Sequence, residues 1–157
     1  MAAVLGATYP DVYAAIGVHS GLPFGAARDM ASAFAAMKSG NARVQTAHRV
    51  PAIVFHGDRD TTVHACNGDA LIEQFTGGTA ERPASIEQGS VPSGHRYTRA
   101  LYRDTGGSVM AEHWQVHGAG HAWFGGDASG SYTDPSGPDA SAEMLRFFGG
   151  VARPVIN

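Results

Sequence analysis

The sequence predicts an α/β protein, a three-layer α/β/α sandwich in which strands alternate with helices. Three observations carry this. Val50 to Phe55 is six residues without a polar side chain, the mark of a parallel strand covered on both faces, with Pro51 tolerated near its start. Segments with helical apolar spacing lie on either side of it, over 29–37 and 67–75. Further along, Tyr97–Tyr102 and Val109–His117 flank Asp104-Thr105-Gly106-Gly107-Ser108, a turn-forming stretch that predicts an antiparallel hairpin.

Taken in order, Met1–Tyr9 is alanine-rich and stopped by Pro10, as the tail of a helix would be. Tyr13–Val18 is a short apolar run leading into His19-Ser20-Gly21, a buried strand ending in a loop. Asp29–Met37 predicts a helix with Ala31, Phe34, Ala35 and Met37 on its apolar face and Gly40 just past its end. Asn67–Phe75 predicts another, facing inward through Ala70, Leu71, Ile72 and Phe75 and closed by Gly77-Gly78. Residues 79–95 are rich in Pro, Gly and Ser and predict a surface loop. A second, glycine-rich loop is expected over 118–138. Asp139 then caps a last helix with Ala140, Met144, Phe147 and Phe148 on one face. There is no internal repeat, and the 157 residues are expected to form a single domain.

Composition narrows the function. With 43% hydrophobic and 16% charged residues the chain is globular. A net charge of −3 without a basic patch argues against nucleic acid as a partner. A lone cysteine, Cys66, allows no intrachain disulfide and reads as a structural thiol; His64 alone is weak support for a catalytic one. No apolar run approaches the ~20 residues of a membrane span. The opening residues lack the basic start of a secretory leader.

In open α/β sheets, functional groups gather beyond the carboxyl ends of the strands. Two segments fit: Val54-Phe55-His56-Gly57-Asp58-Arg59-Asp60 and Val116-His117-Gly118-Ala119-Gly120-His121-Ala122-Trp123. A nucleophilic hydroxyl needs an imidazole to take its proton and a carboxylate to hold that imidazole. Asp60 and His121 suit these roles in chain order, and the glycines around His121 allow a tight loop. Each also has a plain reading, Asp60 as a turn former and His121 as one of eight histidines. Asp58 competes as the acid, but a longer turn after the strand favours Asp60. His56 is expected to pack at the strand end and His117 to face the flank of the sheet. Trp123 is a candidate wall for an acyl pocket or, alternatively, a packing residue.

The residues His56–Val63, Gly118–Trp123 and Gly130–Ser141 closely resemble the secreted polyhydroxybutyrate depolymerase-type esterases, relatives of feruloyl and acetylxylan esterases. Met1–Pro10 and Gly17–Pro23 share the likeness. The resemblance implies the C-terminal part of an α/β-hydrolase fold, no cofactor and no metal, and acyl transfer from hydroxyalkanoate or plant-polymer esters through a serine. Carried over by position, Asp60 is the acid and His121 the base. The departure is the family's Gly-x-Ser-x-Gly elbow, absent from this sequence, so the early strands, the nucleophile and the oxyanion loop are expected to be missing. Ser20 fits poorly as a substitute because its glycine spacing is wrong. The expectation is thus an N-terminally truncated esterase, extracellular by family and inactive alone. The alternative is a non-catalytic binding or dimerisation module that self-associates through an exposed sheet edge. A nucleotide-binding domain is disfavoured by the lack of a phosphate-cradling glycine loop.

Overall fold

The computed structural model describes residues 1–40, 46, 49–78 and 82–151. It shows an α/β arrangement of four helices, α1 (Ala2–Thr8), α2 (Met30–Ser39), α3 (Cys66–Thr76) and α4 (Ala140–Gly150), around a five-stranded mixed sheet. The strands are β1 (Ile16–His19), β2 (Ala52–Gly57), β3 (Ser85–Ser90), β4 (Arg96–Arg103) and β5 (Val109–His117), in the spatial order β1-β2-β5-β4-β3. β1, β2 and β5 run parallel, while β4 and β3 are antiparallel additions beyond β5. A two-residue pair, β6 (Trp123–Phe124) with β7 (Thr133–Asp134), stands apart.

The placement of β2 follows from its composition. All six residues are buried, and the two-residue side-chain period sorts them into two cores. Ala52 and Val54 join Ala3, Ile16, Val18, Leu71, Ile72 and Phe75, so α1 and α3 cover one face. Ile53 and Phe55 join Trp114, Val116, Phe124, Ala140, Met144 and Phe147, so α4 covers the other. Burial of these apolar side chains, at roughly 1.5–3 kcal/mol each, fixes the sheet between its helices. The caps are local. Asp29 and Ser32 form a reciprocal capping box on α2, Asp139 accepts from the Ala142 N–H at 2.9 Å, and Gly77 closes α3 at φ +68°. On the α4 side, buried Glu112 is gripped by Arg99 at 2.9 Å and Arg146 at 2.6 Å, tying α4 to β4 and β5.

Several expectations shift. β2 starts at Ala52 because Pro51 has no N–H for the ladder, though its carbonyl accepts from Ile16 N. β1 begins only at Ile16, since Val12 and Tyr13 fold back in a turn onto the Tyr9 carbonyl. The loop expected over 79–95 contains β3, whose side chains are nearly all exposed. An edge strand held to β4 by backbone pairing and an exposed Glu87–Arg99 ion pair leaves no hydrophobic alternation to read. Residues 79–81 of that stretch lie outside the described residues. The 118–138 loop likewise carries β6 and β7. The face of α2 is misjudged: Ala36 is buried, whereas Phe34 is 62% exposed. On α4 the stripe is Ala140, Met144 and Phe147, and Phe148 sits at its flank, 40% exposed.

Candidate functional site

Parallel strands β2 and β5 are neighbours, so the loops after their carboxyl ends meet. Beyond Gly57 the chain turns back, with Asp60 N donating to the Gly57 carbonyl at 3.2 Å. The Asp60 side chain is fully buried. Its Oδ1 accepts from the backbone N–H of Thr62 at 2.9 Å and of Val63 at 2.8 Å, an Asx-type turn that locks the carboxylate in one orientation. Its Oδ2 accepts from Nδ1 of His121 at 2.7 Å. His56 Nε2 lies 2.8 Å from the Val63 carbonyl and 3.5 Å from the same Oδ2. Both neighbours only accept, so Nε2 of His56 carries the proton and braces the Asp60 carboxylate from behind.

The loop bearing His121 is laced to the Asp60 loop by main-chain and side-chain bonds. Arg59 N donates to the Ala119 carbonyl at 3.0 Å and Asp58 N to the Val116 carbonyl at 3.1 Å. Asp58 accepts from Gly118 N at 2.7 Å and from His117 Nδ1 at 3.0 Å. The two aspartates that competed in sequence are thus separated: Asp60 holds His121, and Asp58 clamps the start of the loop that carries it. Burial alone would raise the Asp58 carboxyl, but the Gly118 N–H and the His117 partner outweigh it and hold it below the ordinary value. His117 also pairs with Thr98 on β4 at 2.8 Å, and His95 bridges the His117 carbonyl to Asp134 on β7.

The close approach of the two loops depends on Gly57. A β-carbon there would lie 2.3 Å from the Ala119 carbonyl oxygen, which is backbone and cannot yield. Gly57→Ala is expected to cost about 1–3 kcal/mol and to pull His121 away from Asp60. Urea denaturation read by circular dichroism checks the first, and loss of the His121 Nδ1 proton signal in NMR checks the second.

His121 has 36% of its side chain exposed, and its Nε2 has no partner among the described residues. It borders a cavity of about 290 Å³ together with His19, Ser20, Ala122, Trp123 and Tyr132. Trp123, 38% exposed, is both wall and packing residue. It stacks on His19 at 4.8 Å between ring centroids, and its Nε1 donates to Ser141 Oγ at 3.2 Å. The sequence places His19 only in the loop that follows a strand, whereas it is the last residue of β1. It is packed against Phe55, Trp123 and Phe124, and its Nε2 accepts the Phe124 N–H at 3.0 Å. That ring joins β1 to the segment after His121, a contact over a hundred residues apart that leaves no local signal. A second cavity, about 190 Å³ and lined by Arg49, Pro51, Phe75 and Asp104 among others, lies at the opposite end of β2. Among the described residues no group of three or more His, Cys, Asp or Glu is arranged to hold a metal ion.

Chemically, the cavity offers an imidazole with one nitrogen committed to a buried carboxylate and the other free, beside an aromatic wall. Such a pair accepts a proton from a hydroxyl and returns it. Residues 1–81, spanning β1, β2 and Asp60, match the family model described as esterase PHB depolymerase. Poly(3-hydroxyalkanoate) depolymerase C of Paucimonas lemoignei is 30% identical over 138 residues, covering 77% of this chain. The chain spans 32% of the length of that relative.

Proposed function

Because the chain belongs to the esterase PHB depolymerase family, we propose that it supplies the acid and the base of a serine esterase acting on hydroxyalkanoate esters. The observation that carries this is the 2.7 Å contact between buried Asp60 and His121 Nδ1, with Nε2 turned to a cavity. The helices on both faces of the sheet support a three-layer α/β-hydrolase architecture, in which β2 and β5 deliver acid and base.

In the proposed reaction His121 Nε2 takes the proton of a serine hydroxyl as its oxygen bonds to the ester carbonyl carbon. The resulting imidazolium is stabilised by Asp60. It returns the proton to the alcohol oxygen as the ester C–O bond breaks, leaving an acyl-serine. Water, deprotonated by the same nitrogen, then releases the acid and restores the serine. The 157 residues contain no Gly-x-Ser-x-Gly. Ser20, which borders the cavity, lies beside His19 Nδ1; because His19 Nε2 accepts from Phe124 N, that nitrogen donates to the hydroxyl rather than accepting from it. The nucleophile is therefore assigned to polypeptide outside these residues, and an extracellular location belongs to the same proposal.

Two assays test it. The 157-residue chain alone should hydrolyse p-nitrophenyl butyrate no faster than buffer. A rate abolished by a serine-directed phosphonate would make one of its own serines the nucleophile. The product of the longest reading frame containing this sequence should show a phosphonate-sensitive rate that falls about 10³-fold or more in His121→Ala. An inert, folded product would contradict the esterase reading.

A further inference from the structure

Ser20 is unusual in two independent ways. Its φ of +48° is left-handed, a region that favours glycine, yet glycine occupies the next position instead. The sheet holds it there: Ser20 N donates to the Phe55 carbonyl at 2.9 Å, continuing the β1–β2 ladder. Left-handed backbone at a non-glycine residue bordering a cavity is the kind of strain that accompanies function.

The second feature is the direction of its hydrogen bond. A backbone N–H can only donate, so His19 Nε2, 3.0 Å from Phe124 N, must accept. Burial pulls the His19 pKa down to about 3, so the ring is neutral and carries its one proton on Nδ1. That nitrogen lies 3.2 Å from Ser20 Oγ, and the hydroxyl oxygen is therefore the acceptor. The Ser20 O–H proton has no acceptor among the described residues. Of the other polar groups around the cavity, both nitrogens of His19 are engaged and Trp123 Nε1 is held by Ser141. Besides the Tyr132 phenol, on a side chain that is 78% exposed, the lining side chains thus present one buried donor, the Ser20 hydroxyl, and one proton-accepting nitrogen, His121 Nε2.

We infer that Ser20 is a specificity-determining residue, whose hydroxyl donates to an oxygen on the chain of the ester substrate away from the reacting group. The inference rests on the esterase reading above. An oxyanion hole needs at least two preorganised donors, and Ser20 supplies one, its backbone N–H being spent on Phe55. The donor instead suits an acceptor that a plain alkyl ester lacks and an ester of a hydroxy acid has, such as the next carbonyl of a polyester.

The test is binding by NMR to the isotope-labelled chain, following the His121 and Trp123 ring signals. Two esters of matched shape are compared: methyl 3-acetoxybutyrate, which has a second carbonyl, and methyl 3-methylhexanoate, which replaces the acetoxy group by propyl. The acetoxy ester should bind about five-fold more tightly, the worth of one neutral hydrogen bond. Ser20→Gly, which suits the left-handed backbone and should keep or raise the melting temperature, removes that preference. Ser20→Ala removes it too. A preference that is absent in the parent chain, or survives in both variants, overturns the role of Ser20 while leaving the site in place. If neither ester moves the His121 signals, the esterase reading falls with it.

Discussion

Asp60→Ala is expected to lower the unfolding free energy by about 3 kcal/mol, because it strips several buried donors of one acceptor. The backbone N–H groups of Thr62 and Val63 and the Nδ1 proton of His121 all bond to this carboxylate, and His56 Nε2 leans on it at 3.5 Å. The substitution also leaves the turn after β2 without its organiser. Asp60→Asn separates structure from chemistry. Its carbonyl oxygen can still accept from Thr62 and Val63, so most of the stability should remain. Its amide then presents N–H groups to His121 Nδ1, forcing the other tautomer. In the full reading-frame product that change is expected to reduce kcat about 10⁴-fold, as in other triads that lose the correct tautomer. Urea denaturation of both variants, together with turnover, checks the pair. Equal stability losses, or an Asn variant with parent-like turnover, would contradict the assignment.

Stability is expected to fall from about pH 6.5 downward, beginning before the carboxylates titrate. Burial pulls His113 down to about 4 and His19 to about 3, and it lowers His56 as well. Unfolded, each imidazole would take up a proton near pH 6.5. Between about 6.5 and the folded values the unfolded chain therefore binds more protons, so stability rises with pH and is lost as pH falls. His113 and His56 make this worse for the folded state, since His113 Nε2 and His56 Nδ1 are buried with no partner among the described residues and both face Gly68. Asp58 acts in the same direction at lower pH, because its lowered carboxyl gives up stability as it protonates. Together these imidazoles remove on the order of several kcal/mol by about pH 4, a large share of a small domain's total. Denaturation curves from about pH 7 to about pH 4 should show the decline, and His113→Leu should flatten it. A profile that is level across this range would refute the burial of neutral histidines.

How far the sequence anticipates the structure depends on burial. β2 is legible because both its faces are covered, so every side chain is apolar. α3 is legible because Leu71, Ile72 and Phe75 form a single buried stripe. β3 is not, since an exposed edge strand is defined by main-chain pairing that any side chain permits. Nor is the face of α2, where small alanines lie on all sides and Phe34 points outward. At the candidate site, Asp60 and His121 were visible as polar residues just past apolar strands. The clamp of Asp58 on Gly118 and the aromatic packing of His19 were not, because they join segments distant in the chain.

The most direct measurement is the tautomer of His121, read from the ring nitrogen shifts of the labelled chain in mildly alkaline buffer and repeated in Asp60→Asn. The proton should sit on Nδ1 in the parent, with Nε2 bare, and should move to Nε2 in the variant. A parent ring protonated on Nε2, or unchanged by the substitution, would mean that Asp60 does not hold His121 ready for a hydroxyl.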